Sequence, residues 1–503
     1  MRRQTYYTPG DKSIYGNIID ELESERGRLE AGFQTVFSSV EQLIPSENLN
    51  FYIDPTNGND ATADGAIITP FKTWKAFWES NVLPKATRKS INVKIFPGVL
   101  DWVYLSGINV YQPGSLNIYA DMKPAVITGM NQGTASGGTT YSLQKAGAGW
   151  APNQLAGKSW RITAGTHMWY SGKIVTNTAT EFFIAPLMGT PIDATDVFII
   201  EESTVLVNPP LMYNHPNPLT VYDSRGNINI QNLDFQANEH RYQYYAGRIT
   251  RSGDGIIFFN CMFRGSSPAS LAALKDPLWT SRAHDSTFFL CSFISQEGVT
   301  TESIIQHDGP TSKMDYYGCA FNDCIHVYYG MDHLSIQNCH RIQRAGSTGS
   351  DVLRTVNYFQ PINSRIDFNL TGAGIRFDGP SCMDARYTQF LRSSGKGLWT
   401  YGYYGDGVRL SFIGGEVGGC VGDGIDVGPC SSVAMVSLLT NPAAINGGWG
   451  LKLRNGAKAA YAGVSSLKGA LGDVNLGDGV TNVPINTTAT DTTHLTRIAP
   501  FGG

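Results

Sequence analysis

Apolar and polar positions repeat along the middle of the chain in short alternating runs. Five of these runs align: INIQNLDF at 228–235, IIFFNCMF at 256–263, STFFLCSF at 286–293, MDYYGCAF at 314–321 and LSIQNCHR at 334–341. The shared order is mostly apolar, any, apolar, any, Asn or a substitute, Cys or Leu, any, and usually Phe. The third positions fall at 230, 258, 288, 316 and 336, giving repeats of 28, 30, 28 and 20 residues. Looser copies follow at 383–390, 408–415 and 432–439. Alternate residues of a strand share a face. Positions one and three therefore point inward on one strand, position five breaks the alternation at a bend, and positions six and eight point inward on the next. The pattern predicts an all-β parallel solenoid. Each repeat of about 20–30 residues is one turn, and equivalent side chains stack about 4.8 Å apart along the axis.

Stacking assigns roles to the repeated residues. Cys261, Cys291, Cys319 and Cys339 form an internal ladder of small buried thiols. They are expected to be free, because neighbouring rungs hold their Cβ vectors parallel. Phe263, Phe293 and Phe321, with Phe235, form a second ladder, and Asn232, Asn260 and Asn338 sit at the bend, where stacked amides can hydrogen-bond along the axis. The eight Cys contain no CxxC pair, and Cys and His do not group at zinc spacing, so no metal or cofactor is expected. Gly-Asp-Gly at 253–255, 405–407, 422–424 and 477–479, with Asp-Gly at 308–309 and 378–379, reads as turns that punctuate the coils and need positive φ.

Two features precede the repeat. Residues 14–44 carry a heptad stripe, with Tyr15, Leu22, Leu29, Val36 and Leu43 at one position and Ile19, Arg26, Phe33 and Val40 at the other. The stripe predicts one helix, ended by Pro45. It is buried either in a coiled coil that sets an oligomer or docks into a larger assembly, or against the protein's own body. Next comes FYIDPTNGNDATADGAIITPFKTW at 51–74. This reads as a strand, three turn dipeptides, and a short helix over 71–80 opened by Pro70. Asp54, Asp60 and Asp64 either shape these turns or hold a cation.

The 51–74 stretch resembles the N-terminal cap of pectate-lyase-like right-handed β-helix proteins, and the repeat over about 228–470 is similar to theirs. Together with the heptad helix, these features make the chain most similar to bacteriophage tailspikes and tail fibres. The resemblance implies a right-handed parallel β-helix, a homotrimer, and attachment to other virion tail proteins through the N-terminal helix. It also implies assembly in the host cytoplasm, a place in the virion tail, and recognition of a host surface glycan with its cleavage.

Composition narrows the alternatives. The 503 residues include 56 Gly, and 16% are charged, 42% hydrophobic and 11% aromatic. Low charge with many aromatics excludes general disorder, and this much Gly excludes a mainly helical protein. A net charge of −4 without a Lys/Arg run argues against nucleic acid and anionic membranes. No apolar stretch approaches the roughly 20 residues of a membrane span, and the N-terminus has no apolar signal core. The expected organisation is an oligomerisation or attachment segment at 1–48, a cap and first coils at 49–142, an inserted small β domain at 143–210, the main solenoid at 211–470 and a cap or tail at 471–503.

Glycan hydrolysis needs two carboxylates, and a lyase needs a base at C5. On a solenoid such groups meet between adjacent coils at equal register. That rule gathers Asp254, His284 and Asp285 with Lys313, Asp332 and His333. The candidate catalytic residues are Asp254, Asp285, Glu302, Asp308 and Asp332 as carboxylates, with His284 and His307 tuning them or relaying protons. Tyr244, Tyr245, Tyr328, Tyr329, Trp399, Tyr401 and Tyr403 offer flat faces to a sugar or to another subunit. Three functions remain open: a polysaccharide depolymerase, a non-enzymatic adhesive or structural fibre, and a secreted polysaccharide lyase. The last lacks a signal peptide and a calcium-carboxylate and Arg set.

Overall fold

The computed structural model describes residues 48–209, 217–237, 245–252, 255–265, 276–281, 285–294, 304–308, 311–322, 324–327, 331–343, 351–354, 356–401, 407–440, 444–454, 457–462 and 468–476. The predicted helix at 14–44 and the tail beyond 476 lie outside them. Three long sheets of 13, 10 and 12 parallel strands run along one axis. Each coil passes through the first sheet, bends into the second, and returns through the third. No helix among the described residues is long and apolar enough to cross a membrane.

Ile228, Ile256, Ser286, Met314 and Leu334 are direct partners along the first sheet, the register that the repeat predicts. One coil between the aligned copies escaped the sequence pattern: Phe359 pairs with both Leu334 and Met383. Its third position is Pro361 and its sixth is Ser364, which hides the motif. Further on, Leu410 and Val433 align with Met383, so the looser copies begin two and one residues later than the pattern placed them. The first sheet also extends backward through Leu116–Ala120 and Ile91–Ile95 to Leu49–Ile53.

The bend is a ladder of left-handed residues. Asn232, Asn260, Leu290, Gly318, Asn338, Asn363, Tyr387, Gly414 and Ser437 all have φ between 45° and 65°. Asn tolerates this region and reaches along the axis: Asn260 Nδ2 donates to Asn232 Oδ1 at 2.8 Å, and Asn363 Nδ2 to Asn338 Oδ1 at 3.2 Å.

The thiol after the bend donates to the carbonyl of the third position one coil back. Cys261 Sγ reaches Ile230 O at 3.4 Å, Cys291 reaches Phe258 O at 3.5 Å, Cys319 reaches Phe288 O at 3.3 Å and Cys339 reaches Tyr316 O at 3.4 Å. Ser364 and Thr388 continue the series onto Ile336 O (3.0 Å) and Pro361 O (2.9 Å). All four thiols are unpaired and buried, and burial holds the pKa of Cys261, Cys291 and Cys319 well above the usual thiol value. Inside, Phe235, Phe263, Phe293 and Phe321 stack at 5.2–5.3 Å, beside a second stack of Phe258, Phe288 and Tyr316 at 4.8 and 4.9 Å. The next rung of the Phe ladder is the buried Arg341, whose guanidinium lies 4.9 Å from the Phe368 ring and donates to Gln343 Oε1.

In the cap the three Asp shape turns. Asp54 Oδ1 accepts from the N–H groups of Thr56 and Asn57, and Asp64 Oδ1 accepts from that of Ala66. Asp60 Oδ1 accepts from those of Lys72 and Thr73. Because Asp60 holds these two N–H groups, the helix spans Trp74–Glu79 behind the N-cap Thr73, later than the predicted start at 71.

An eight-stranded antiparallel sheet interrupts the solenoid from Met122 to Ser203, so its first strands precede residue 143. Its own core includes Trp150, Trp160, Phe182 and Phe198. It lies on the outer face of the second sheet. Lys173 is buried there, with Nζ donating to Ser159 Oγ (3.0 Å) and Asn260 O (3.1 Å), and burial lowers its pKa. Ser292 Oγ donates to Gly157 O at 3.1 Å. His340 Nδ1 bonds Ile184 O at 2.8 Å, which leaves Nε2 buried without a partner, and burial lowers its pKa to about 3.

Two predictions follow from the ladders and this interface. Phe293→Ala leaves a hole between two aromatic stacks and is expected to cost about 3–5 kcal/mol. Cys319→Ser repeats chemistry that Ser364 already supplies and costs under about 1.5 kcal/mol; urea midpoints of the two variants measure the difference. His340 binds its proton more readily when the chain is unfolded. Stability from this group is therefore complete above pH 6.5 and falls as the pH drops towards 3, by up to about 1.4 kcal/mol per pH unit. His340→Gln keeps a donor for Ile184 O and is expected to flatten that part of the acid slope in pH-dependent unfolding.

Candidate functional site

The outward face of the first sheet changes character along the axis. At one register Asn50, Asn92, Asn117 and Asn229 form an amide ladder with 2.9 Å bonds. Further along, the same register carries Asp315, Ser335, Gln360 and Asp384. This carboxylate segment is the candidate site.

Asp315 is 4% exposed although it sits on an outward position. Lys313, two residues before it on the same face, places Nζ 2.8 Å from Oδ2, and this hydrogen bond raises the pKa of Lys313. Oδ1 is buried without a hydrogen-bond partner, and His333 Nε2 stands 3.7 Å from it. The parallel register puts His333 directly beside Lys313. Burial lowers the pKa of His333, against an upward pull from Asp315. The imidazole stacks on Tyr358 with ring centroids 5.3 Å apart. Tyr358 donates its hydroxyl to Asp384 Oδ2 at 2.9 Å, and Arg386 clamps the same oxygen from Nε (3.1 Å) and Nη2 (2.8 Å). Beside Asp315 on the outer surface, Phe289 and Tyr317 stack at 5.0 Å. Rings, a cation and two anchored carboxylates thus share one strip, a surface suited to sugar faces and hydroxyls.

The candidates from the sequence divide around this strip. Asp285 is exposed and immediately precedes Ser286, the partner of Met314, so it stands one strand away at the level of Lys313. Asp332 is exposed and accepts from Asn357 Nδ2 at 2.9 Å. Backbone pairing places His307 and Asp308 on the third sheet, opposite Thr280 and Ser281, and their side chains lie outside the described residues. Asp254, His284, Glu302, Tyr244, Tyr328, Tyr329 and Tyr403 also lie outside them. Tyr245, Trp399 and Tyr401 belong to the third sheet. Trp399 and Tyr401 share a face, with Tyr401 5.6 Å from the Arg376 guanidinium. These aromatics occupy a different sheet from Asp315.

Asp315, Tyr358 and Asp384 escaped the sequence reading. The available signal was a carboxylate at the second position of two repeat copies, MDYYGCAF and MDARYTQF, where the other copies, in the register of the structure, carry neutral residues. Among the described residues, one further cluster has metal-like composition: His167, Asp193 and Asp196. Its atoms already bond one another. His167 Nδ1 lies 2.6 Å from Asp196 Oδ2 and Nε2 lies 2.8 Å from Thr190 Oγ1, while hydroxyls of Thr195 and Thr166 hold Asp193 at a pKa of about 2. The cluster closes loops of the inserted sheet.

Neither a known protein family nor a curated protein matches the sequence. Among the solved structures that match, three are similar over much of the chain. The Gp54 tailspike of Acinetobacter baumannii bacteriophage AP22, solved with a capsular saccharide, is 9% identical with a TM-score of 0.27, over 86% of this chain and 80% of that one. Tailspike protein 3 of bacteriophage CBA120 is 10% identical with a TM-score of 0.30, over 56% of each chain. A lacto-N-biosidase from Eubacterium ramulus is 10% identical with a TM-score of 0.28, over 93% of this chain and 70% of that one. Likeness this distant carries nothing about function, which rests on the chain's own residues.

His333 is expected to titrate below its usual 6.5 in an NMR pH series. Asp315→Asn removes the upward pull and moves the midpoint lower still. Lys313→Met removes an opposing cation and moves it higher.

Proposed function

We propose that this chain is a bacteriophage tailspike that recognises a host cell-surface polysaccharide on the outer face of its first sheet and cleaves it there. The observation that carries the reading is Asp315. This carboxylate on an outward position is nearly closed off from water, hydrogen-bonded to Lys313 through one oxygen, and faces the His333 ring at 3.7 Å without a hydrogen bond through the other. The stacked rings beside it suit a saccharide. Asp285 supplies the second carboxylate. One strand spacing sideways and two residues along separate the two Cα atoms by about 8 Å. Both residues stand on the outer face of the sheet, as a pair acting on one glycosidic bond must. The heptad stripe at 14–44 supports a homotrimer held to other tail proteins, in keeping with a virion component.

The test incubates the full chain with capsule and lipopolysaccharide from candidate hosts and follows new reducing ends and the absorbance of unsaturated sugars. Reducing ends without that absorbance are expected. Asp315→Asn is expected to lower the rate by about 100-fold or more while the glycan still binds. Absorbance at unsaturated sugars would replace the hydrolase with a lyase. Binding without products from any host glycan would leave a non-enzymatic receptor-binding fibre.

A further inference from the structure

The outward ladder of the second sheet runs at one register from Asp234 through His340 and Arg365 to Gln389 and Glu416. The inserted sheet covers it as far as Arg365, whose guanidinium lies 4.3 Å from the ring of Tyr141. Past that edge the ladder emerges as the floor of an open groove. Thr140, Leu187 and Met188 of the insertion form one wall, and the bend of the following coils forms the other.

Tyr387 occupies that bend. Four other rungs carry Asn there, which suits positive φ, whereas a bulky side chain is a conformational outlier. Tyr387 holds φ at 50° and remains 65% exposed. The next rung is cleared for its ring: a Cβ on Gly414 would come within 2.7 Å of Tyr387 Cδ1. The ring therefore rests on the backbone of Gly414 and lines the groove. Leu290 holds the same bend at φ 49° and is half-buried, whereas Tyr387 combines the outlier with an exposed ring on the groove wall, which points to use by a ligand. Beside it the polar groups are already aimed. Arg365 Nη1 donates to Gln389 Oε1 at 2.8 Å, and Gln389 Nε2 donates to Glu416 Oε2 at 2.9 Å. Among the described residues that line the groove, Glu416 carries the one charge.

We infer that this groove is a second saccharide-binding site, selective for uncharged or amino sugars. A pyranose face lies on Tyr387, and its hydroxyls donate to Glu416, which repels acidic sugars. The inference takes its ligand class from the proposed function and adds a site around the bend from Asp315, three coils further along.

Isothermal titration of the full chain with neutral and acidic oligosaccharide fractions from bacterial capsule and lipopolysaccharide tests it. A neutral fraction is expected to bind at two sites per chain. Tyr387→Asn, which places the residue of the neighbouring rungs at the bend, and Glu416→Gln are each expected to weaken one site at least tenfold, with melting temperature unchanged or higher. Neutral fractions binding Tyr387→Asn and the parent chain within twofold would overturn the site, as would binding of acidic fractions alone or of none. Cleavage that depends on Asp315, with binding indifferent to Tyr387, removes the groove and leaves the depolymerase. Binding that depends on Tyr387, with no cleavage of any glycan, does the reverse.

Discussion

Each coil must return to the same register, and the left-handed bend between the first two sheets enforces this. A parallel pair needs its strands in phase along many rungs, and a one-residue slip would turn every inward side chain outward. From Asn232 to Ser437 the bend absorbs the change of direction in one residue at positive φ, so phase is reset on each of these turns. From Cys261 to Thr388 a hydroxyl or thiol follows it and ties that reset to the coil below by bonding the carbonyl of the third position. The aromatic stacks inside depend on this. Phe263, Phe293 and Phe321 meet face to face because the bends above and below them are superimposed.

Equal register makes the outer faces into surfaces with a sequence of their own. The first sheet's outward ladder begins as stacked amides and becomes a strip of carboxylates, rings and cations around Asp315. The second sheet's ladder begins under the inserted antiparallel sheet and ends in the open. Where it is covered, Ser292, Lys173 and His340 bond across the contact, as buried polar groups must. Where the cover stops, Gln389 and Glu416 meet solvent beside Tyr387. One architecture thus yields both a packing interface and a groove, and the edge of the insertion divides them.

Much of this was legible in the chain. The repeat placed five strands in register, put Cys and Phe inside, and located the bend at its Asn. The coil at 356–368 was not legible, because Pro361 and Ser364 hold the backbone geometry with side chains that break the motif. The candidate site was half legible. Spacing put Asp285 and His333 close together, since both lie just ahead of conserved-phase positions in the repeat. It did not single out Asp315, whose neighbour in sequence is Lys313 but whose importance comes from His333 one coil away. Trp399 and Tyr401 share a strand face, as alternation requires, yet they stand on the third sheet.

The sequence by itself determined the strand phase, the bend and the identity of the core ladders. These are set by contacts between residues a few positions apart or by a periodicity that each coil repeats. Tertiary structure decided which outward residues are covered, which carboxylate loses its water and where a groove opens. The cover and the groove depend on the inserted sheet folding back over coils far downstream of it, and the enclosure of Asp315 depends on His333 one coil away; neither contact leaves a periodic trace in the chain.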